Sequence, residues 1–183
     1  MSFPAFFDTN VLYGALLNDF VLELADRGLF RPLWSHDVLF ELAKNLVKNG
    51  EDPALVRKRV STMEDYFADA MVTGYEDLVP TMTNDTKDRH VLAAAIRGGA
   101  EVLVTFNTKD FPVQAVERFD LEVVHPDDFL INQLDLYHAP TLRGLVELVA
   151  GYESPTMTVD DFLLALTRAG VPKFVEATRS KLY

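Results

Sequence analysis

The sequence predicts a three-layer α/β/α domain built around a central parallel sheet, followed by a small helical extension. Three observations carry this. Strand candidates such as VLVTF at 102–106 are apolar on both faces, as strands covered from two sides must be. They alternate with helical patterns over the first two thirds of the chain, the signature of βαβ units. After His125-Pro126 only helical patterns remain, so residues 1–125 are expected to form the α/β domain and residues 126–183 the extension.

Each element has a local reason. Phe3–Phe7 is a short apolar strand, with Pro4 tolerable near its start. Helical patterns follow at Val11–Leu17 and Val21–Arg27, then a strand at Phe30–Trp34. Ser35 is a suitable N-cap for a helix from about Asp37 to Lys48, closed by Asn49-Gly50. Asp52-Pro53 opens the next helix, which runs to about Phe67. Met71–Val72 reads as a strand, with a loop to residue 86. A helix at 87–97 ends on Gly98-Gly99, and VLVTF comes next. Gln114–Arg118 is a short helix, and LEVV at 121–124 a last strand. In the extension, one helix begins at PDDFLINQLDL and another at Pro140. A third begins behind Thr158 and Asp161, which have the spacing of a capping box, and stops at Gly170 ahead of Pro172.

Composition narrows the function. The chain has 183 residues, 49% of them hydrophobic, enough for a sizeable core. No apolar run approaches the roughly 20 residues a membrane span needs. There are no cysteines, which excludes disulfides and thiolate metal sites. MSFPAFFDTN shows neither a basic leader nor a small-residue cleavage site. These features together predict a cytoplasmic protein. A formal charge of -11 argues against broad electrostatic binding of nucleic acid, although the acid is concentrated between residues 61 and 130.

Four acids stand at informative places. Asp8 follows the first strand, and Asp110 follows VLVTF. Ligands of open parallel sheets bind outside the carboxyl ends of the strands, so two strands aim an acid at one edge. Glu41 lies on the border of the apolar arc formed by Val38, Leu39, Leu42 and Leu46. Asp88 precedes Val91 by three residues and Leu92 by four, which places it within the apolar stripe of its helix. Each also has an ordinary reading: Asp8 as a helix cap, Asp110 as a turn former, Glu41 as a solvated flank, and Asp88 as a favourable charge in a first helical turn. If the four converge, their mutual repulsion demands a cation. Two carboxylates about 5 Å apart repel by roughly 3 kcal/mol at an effective dielectric near 20. Oxygen donors without cysteine or a histidine cluster select Mg²⁺ or Mn²⁺, which can activate water against a phosphodiester.

DTNVL at 8–12, the helix that carries Glu41, and KDRHVLAAAIRGGAEVLVTFNTKDFP at 87–112 together resemble the PIN-domain nucleases. HPDDFL, PTMTVDDFL and RAGVPKF resemble the C-terminal helical extension of one branch of VapC-type toxins. The resemblance implies a divalent-metal-dependent endoribonuclease that belongs to a type II toxin–antitoxin pair. It implies RNA as substrate, a cognate antitoxin and a homodimer. Asp8, Glu41, Asp88 and Asp110 match the catalytic acids in order, with Asp8, Asp88 and Asp110 holding the metal. Thr9, Asn10, Thr105 and Asn107 match supporting positions. The fourth acid position varies in the family between those of Asn107 and Asp110, and Asp85 is a rival metal neighbour.

Lys44, Lys48, Arg57, Lys58 and Arg59 form the one dense basic cluster and are a candidate RNA track. Their ordinary reading is a solvated face paired with Glu51 and Asp52. His36, His90, His125 and His138 have no ligand spacing and are read as structural. Two other functions are compatible with an acid after a first strand. A haloacid-dehalogenase-type phosphatase needs a second aspartate where Asn10 stands. A non-catalytic module could use the acids to dock a basic partner.

Overall fold

The computed structural model describes residues 2–182. Its five strands are β1 (Pro4–Phe7), β2 (Arg31–Ser35), β3 (Met71–Val72), β4 (Val102–Val104) and β5 (Glu122–Val124). They form one parallel sheet in the order β3-β2-β1-β4-β5, the architecture expected from the sequence. The chain winds outward from β1 through β2 to β3, then returns to lay β4 on the other side of β1. In register, Phe6 of β1 lies between Leu33 and Leu103. The reversal of winding falls between β1 and β4, where an open α/β sheet leaves a crevice at its carboxyl edge.

Among the described residues, ten α-helices accompany the sheet. The first two are α1 (Thr9–Leu12) and α2 (Ala15–Asp26). The sequence suggests a break near Asn18-Asp19; the structure puts it at Tyr13-Gly14. Asn18 is buried and its N–H donates to Gly14 O at 2.9 Å, an ordinary helical bond, so this turn former sits inside a helix. The next are α3 (His36–Lys48) and α4 (Pro53–Tyr66). Ser35 Oγ accepts from Val38 N at 3.3 Å and Asp52 Oδ1 from Ala54 N at 2.7 Å, the expected caps. The helix expected at 87–97 opens as a 3-10 turn, Thr86–Asp88, before α5 (Arg89–Arg97). Then come α6 (Val113–Val116), shorter than expected because a 3-10 turn at Glu117–Phe119 ends it, and α7 (Pro126–Leu136). Next, α8 (His138–Ala150) starts two residues ahead of Pro140, whose missing N–H falls among the unbonded donors of a first turn. The chain closes with α9 (Val159–Arg168), which carries the full Thr158–Asp161 capping box, and α10 (Pro172–Leu182), which the sequence pattern does not separate.

Side chains alternate along β1, so Phe3 and Phe7 face one side and Phe6 the other. On that first side Phe7 meets Phe30 and Phe129 of α7, with the Phe7 and Phe129 rings edge-on at 5.6 Å. Phe20 of α2 meets Phe162 of α9 at 6.0 Å and Phe174 of α10 at 5.5 Å. The C-terminal helices therefore share one continuous apolar core with the sheet.

Asp127 ties this extension together. It is 2% exposed and accepts from Lys173 N at 3.0 Å and Phe174 N at 2.7 Å, satisfying the start of α10. Asp127→Ala would leave both amides without an acceptor, and is expected to cost about 2 kcal/mol in urea unfolding. A loss below ~0.5 kcal/mol would show that solvent can replace the carboxylate.

Candidate active site

At the carboxyl edge of β1 and β4, Asp8 and Thr105 stand side by side. Asp8 N donates to Val104 O at 3.1 Å, which extends the β1–β4 ladder by one residue. Asp8 occupies the N-cap position of α1 but makes no capping hydrogen bond there. Its Oδ2 instead accepts from Thr105 Oγ1 at 2.7 Å and from Asn10 Nδ2 at 2.8 Å. Asn10 Oδ1 accepts from Phe106 N at 3.1 Å, and Thr105 Oγ1 from Asn107 N at 3.0 Å. The network fixes one oxygen of Asp8 and, among the described residues, leaves Oδ1 without a side-chain partner. Residues at and beyond the start of the extension brace the same loop: the Phe106 ring stands edge-on to His125, the N-cap of α7, at 5.1 Å. A Cβ added to Gly170, where φ is +99°, would meet that ring at 2.9 Å.

Glu41 projects from α3 toward the same place. Thr9 Oγ1 lies 3.1 Å from Glu41 Oε2 and 3.3 Å from Val38 O, and its single proton serves one of them at a time. On the other side, Glu41 Oε1 is 3.3 Å from His90 Nε2. The sequence presents His90 as structural; the structure places it against a candidate catalytic acid. Its partner lies on another helix, and no spacing rule could have linked them.

Asp88 immediately precedes α5 and does not cap it. Its Oδ2 is buried without a hydrogen-bond partner, and the Lys87 ammonium stands 4.0 Å away. Lys87 is nearer to Asp110, at 3.4 Å. Burial raises the Asp88 carboxyl to about 7; the charge of Asp8 and the adjoining Asp110 carboxyl push the same way, against a smaller pull from Lys87. Asp8 is also raised, chiefly by burial. The Thr105 hydrogen bond and the Thr9 amide oppose that shift, the charge of Glu41 adds to it, and His90 opposes it.

These groups open into a cleft of about 580 Å³ lined by Asp8, Thr9, Asn10, Glu41, Lys87, Asp88 and Asn107 and, further along, by Tyr13, Lys44, Asn45 and Asn49. Asp110 is not on its surface; it stands behind Asp88. Thr105 is fully buried beneath Asp8. Asp85 serves its own turn, where its Oδ1 accepts from Lys87 N at 3.1 Å. Of the basic cluster, Lys44 lines the cleft, while Lys48, Arg57 and Lys58 are exposed outside it. Arg59 turns inward: its guanidinium donates to Leu12 O at 2.5 Å and reaches Tyr13 O at 3.4 Å. The expected pairing of lysines with Glu51 and Asp52 is not found among the described residues.

The donors suit a hard divalent cation. They are carboxylate oxygens, and the orphaned Oδ2 of Asp88 lacks the partner a cation would supply. Among the described residues no three acids or histidines form a ready-made cage. The fit is to an ion that touches one or two carboxylates and keeps part of its water shell, as Mg²⁺ does.

Comparison with known proteins matches residues 4–109 to the family model described as PIN domain. Residues 126–180 match the model described as VapC50 C-terminal domain. A Mycobacterium tuberculosis (strain ATCC 25618 / H37Rv) protein named "Putative ribonuclease VapC50" is 46% identical over 110 residues. The match covers 60% of this chain and 64% of that protein, just under two thirds of the relative's length. No solved structure matches the chain.

Proposed function

Because this chain belongs to the PIN-domain family, we propose that it is a divalent-metal-dependent endoribonuclease, the toxin of a type II toxin–antitoxin pair. The observation that carries the reading is the buried, unpartnered Oδ2 of Asp88 beside the raised carboxyl of Asp8, a pair that a cation would stabilise. The relative's printed name, a ribonuclease, supports RNA as the substrate.

In this reading Asp8 and Asp88 hold Mg²⁺ or Mn²⁺, and Asp110 backs Asp88 and steers Lys87. The ion, when bound, lowers the pKa of a water and stabilises charge on the phosphate. Thr105 and Asn10 keep Asp8 in one rotamer. Glu41, which accepts from Thr9 and lies 3.3 Å from His90, accepts the proton of the attacking water. Water adds to phosphorus as the bond to the 3′ oxygen breaks; that oxygen takes a proton from solvent, leaving a 5′-phosphate and a 3′-hydroxyl. Asn10 donates to Asp8 Oδ2, so it cannot serve as the second acid that the phosphatase reading needs. A homodimer, inhibition by a cognate antitoxin and a cytoplasmic location belong to the same proposal. Among the described residues no helix is long and apolar enough to cross a membrane.

Total cellular RNA incubated with the protein tests this. Mn²⁺ is expected to yield new 5′-phosphate ends at defined positions, and EDTA to suppress them. A protein that binds a partner without metal and cuts nothing would instead be the non-catalytic module.

A further inference from the structure

Away from the carboxylates the cleft runs along α3 to a wall of Tyr13, Lys44, Asn45 and Asn49, none of which the hydrolytic reading uses. Glu41, Asn45 and Asn49 follow one another at four-residue steps, so one face of α3 leads from the acids to this wall. Tyr13 stands at the joint between α1 and α2 with 36% of its surface exposed. It is held from two directions. Asn49 Nδ2 donates to its phenol oxygen at 2.9 Å, and Arg59 reaches its backbone carbonyl at 3.4 Å while donating to Leu12 O. Arg59 is partly buried and has no ion-pair partner among the described residues, and burial lowers its pKa. A charged group is thus partly desolvated to fix a joint that carries a half-open aromatic ring. Beside that ring, the side-chain amide of Asn45 makes no hydrogen bond and Lys44 no ion pair among the described residues. The wall therefore offers one aromatic face, one free amide and one free cation.

We propose that this wall is a base-binding subsite for an unpaired nucleotide next to the scissile phosphate. The base stacks on Tyr13, its edge bonds to Asn45, and Lys44 takes the adjoining phosphate. Arg59 is the positioning residue that holds Tyr13 in place. The inference rests on the nuclease reading. A base inside a duplex has both faces covered by its neighbours, so the subsite selects single-stranded substrate.

The test measures binding of a labelled single-stranded RNA, by fluorescence anisotropy with Ca²⁺ present, to Asp88→Asn protein with and without changes in the wall. Tyr13→Leu is expected to weaken binding by about tenfold to a hundredfold, and Tyr13→Phe, which keeps the ring, by less than about threefold. Lys44→Ala, at an exposed position, should lower the slope of binding against salt by about one ion. Circular dichroism checks folding, and Lys44→Ala supplies the decisive result if Tyr13→Leu fails to fold. Unchanged binding by Tyr13→Leu, an equal loss with Tyr13→Phe, or an unaltered salt slope with Lys44→Ala would overturn the subsite and leave the nuclease reading standing. If Asp88→Asn itself binds no RNA while the unmodified protein cleaves none, the nuclease reading fails and the subsite falls with it.

Discussion

Asp88→Asn is expected to give a protein that is more stable than its parent without metal and that cleaves RNA on the order of a thousandfold more slowly. Both effects have one cause. The folded-state carboxyl titrates at about 7, above its ordinary value of 3.8. Between those values the folded chain holds a proton that the unfolded chain has released. Stability therefore falls as pH rises through that window, and the unfavourable contribution is complete above 7. Asparagine cannot ionise and removes it. Urea midpoints near about pH 5 and about pH 8 should drop steeply for the parent and less for the variant. Asp8, also raised, retains a slope of the same sign in both proteins. A variant that is less stable than its parent at the higher pH would mean that Lys87 already neutralises Asp88, and the need for a cation would disappear.

Binding of Mn²⁺ is expected to be strongly linked to protons. An ion held by Asp88 displaces its proton, so below about pH 7 affinity should fall close to tenfold per pH unit. Near about pH 6, each ion bound should release almost one proton, which calorimetry in buffers of different ionisation enthalpy reads directly. The cleavage rate at limiting metal should follow the same curve. Affinity that stays constant between about pH 5.5 and about pH 7.5 would remove Asp88 from the set of ligands.

The parallel sheet was legible because its strands are apolar on both faces; of the two acids that follow such strands, Asp8 lines the cleft and Asp110 does not. Asp88 shows how periodicity can be informative without being accurate in detail. The apolar stripe implied that it points inward, and its Oδ2 is indeed buried. Yet α5 starts one residue later, at Arg89, so Asp88 lies at the helix mouth in a 3-10 turn. His90 was not legible, because its partner Glu41 arrives through the packing of two helices. The inward turn of Arg59 was hidden for a related reason: a sequence displays a charge but not the carbonyls of Leu12 and Tyr13 that receive it. The polar stripe of Asn45 and Asn49 is present in the sequence at four-residue spacing from Glu41. It is uncharged, and the lysines on the same helix are the louder signal.

The most direct measurement is the rate of cleavage of a single-stranded RNA as Mn²⁺ is raised from zero, with the unmodified protein, Asp8→Asn and Asp88→Asn compared at equal fold content. A carboxylate-held metal predicts saturable activation of the unmodified protein and no activation of either variant. Cleavage that proceeds without metal, or full activity in either variant, would contradict it.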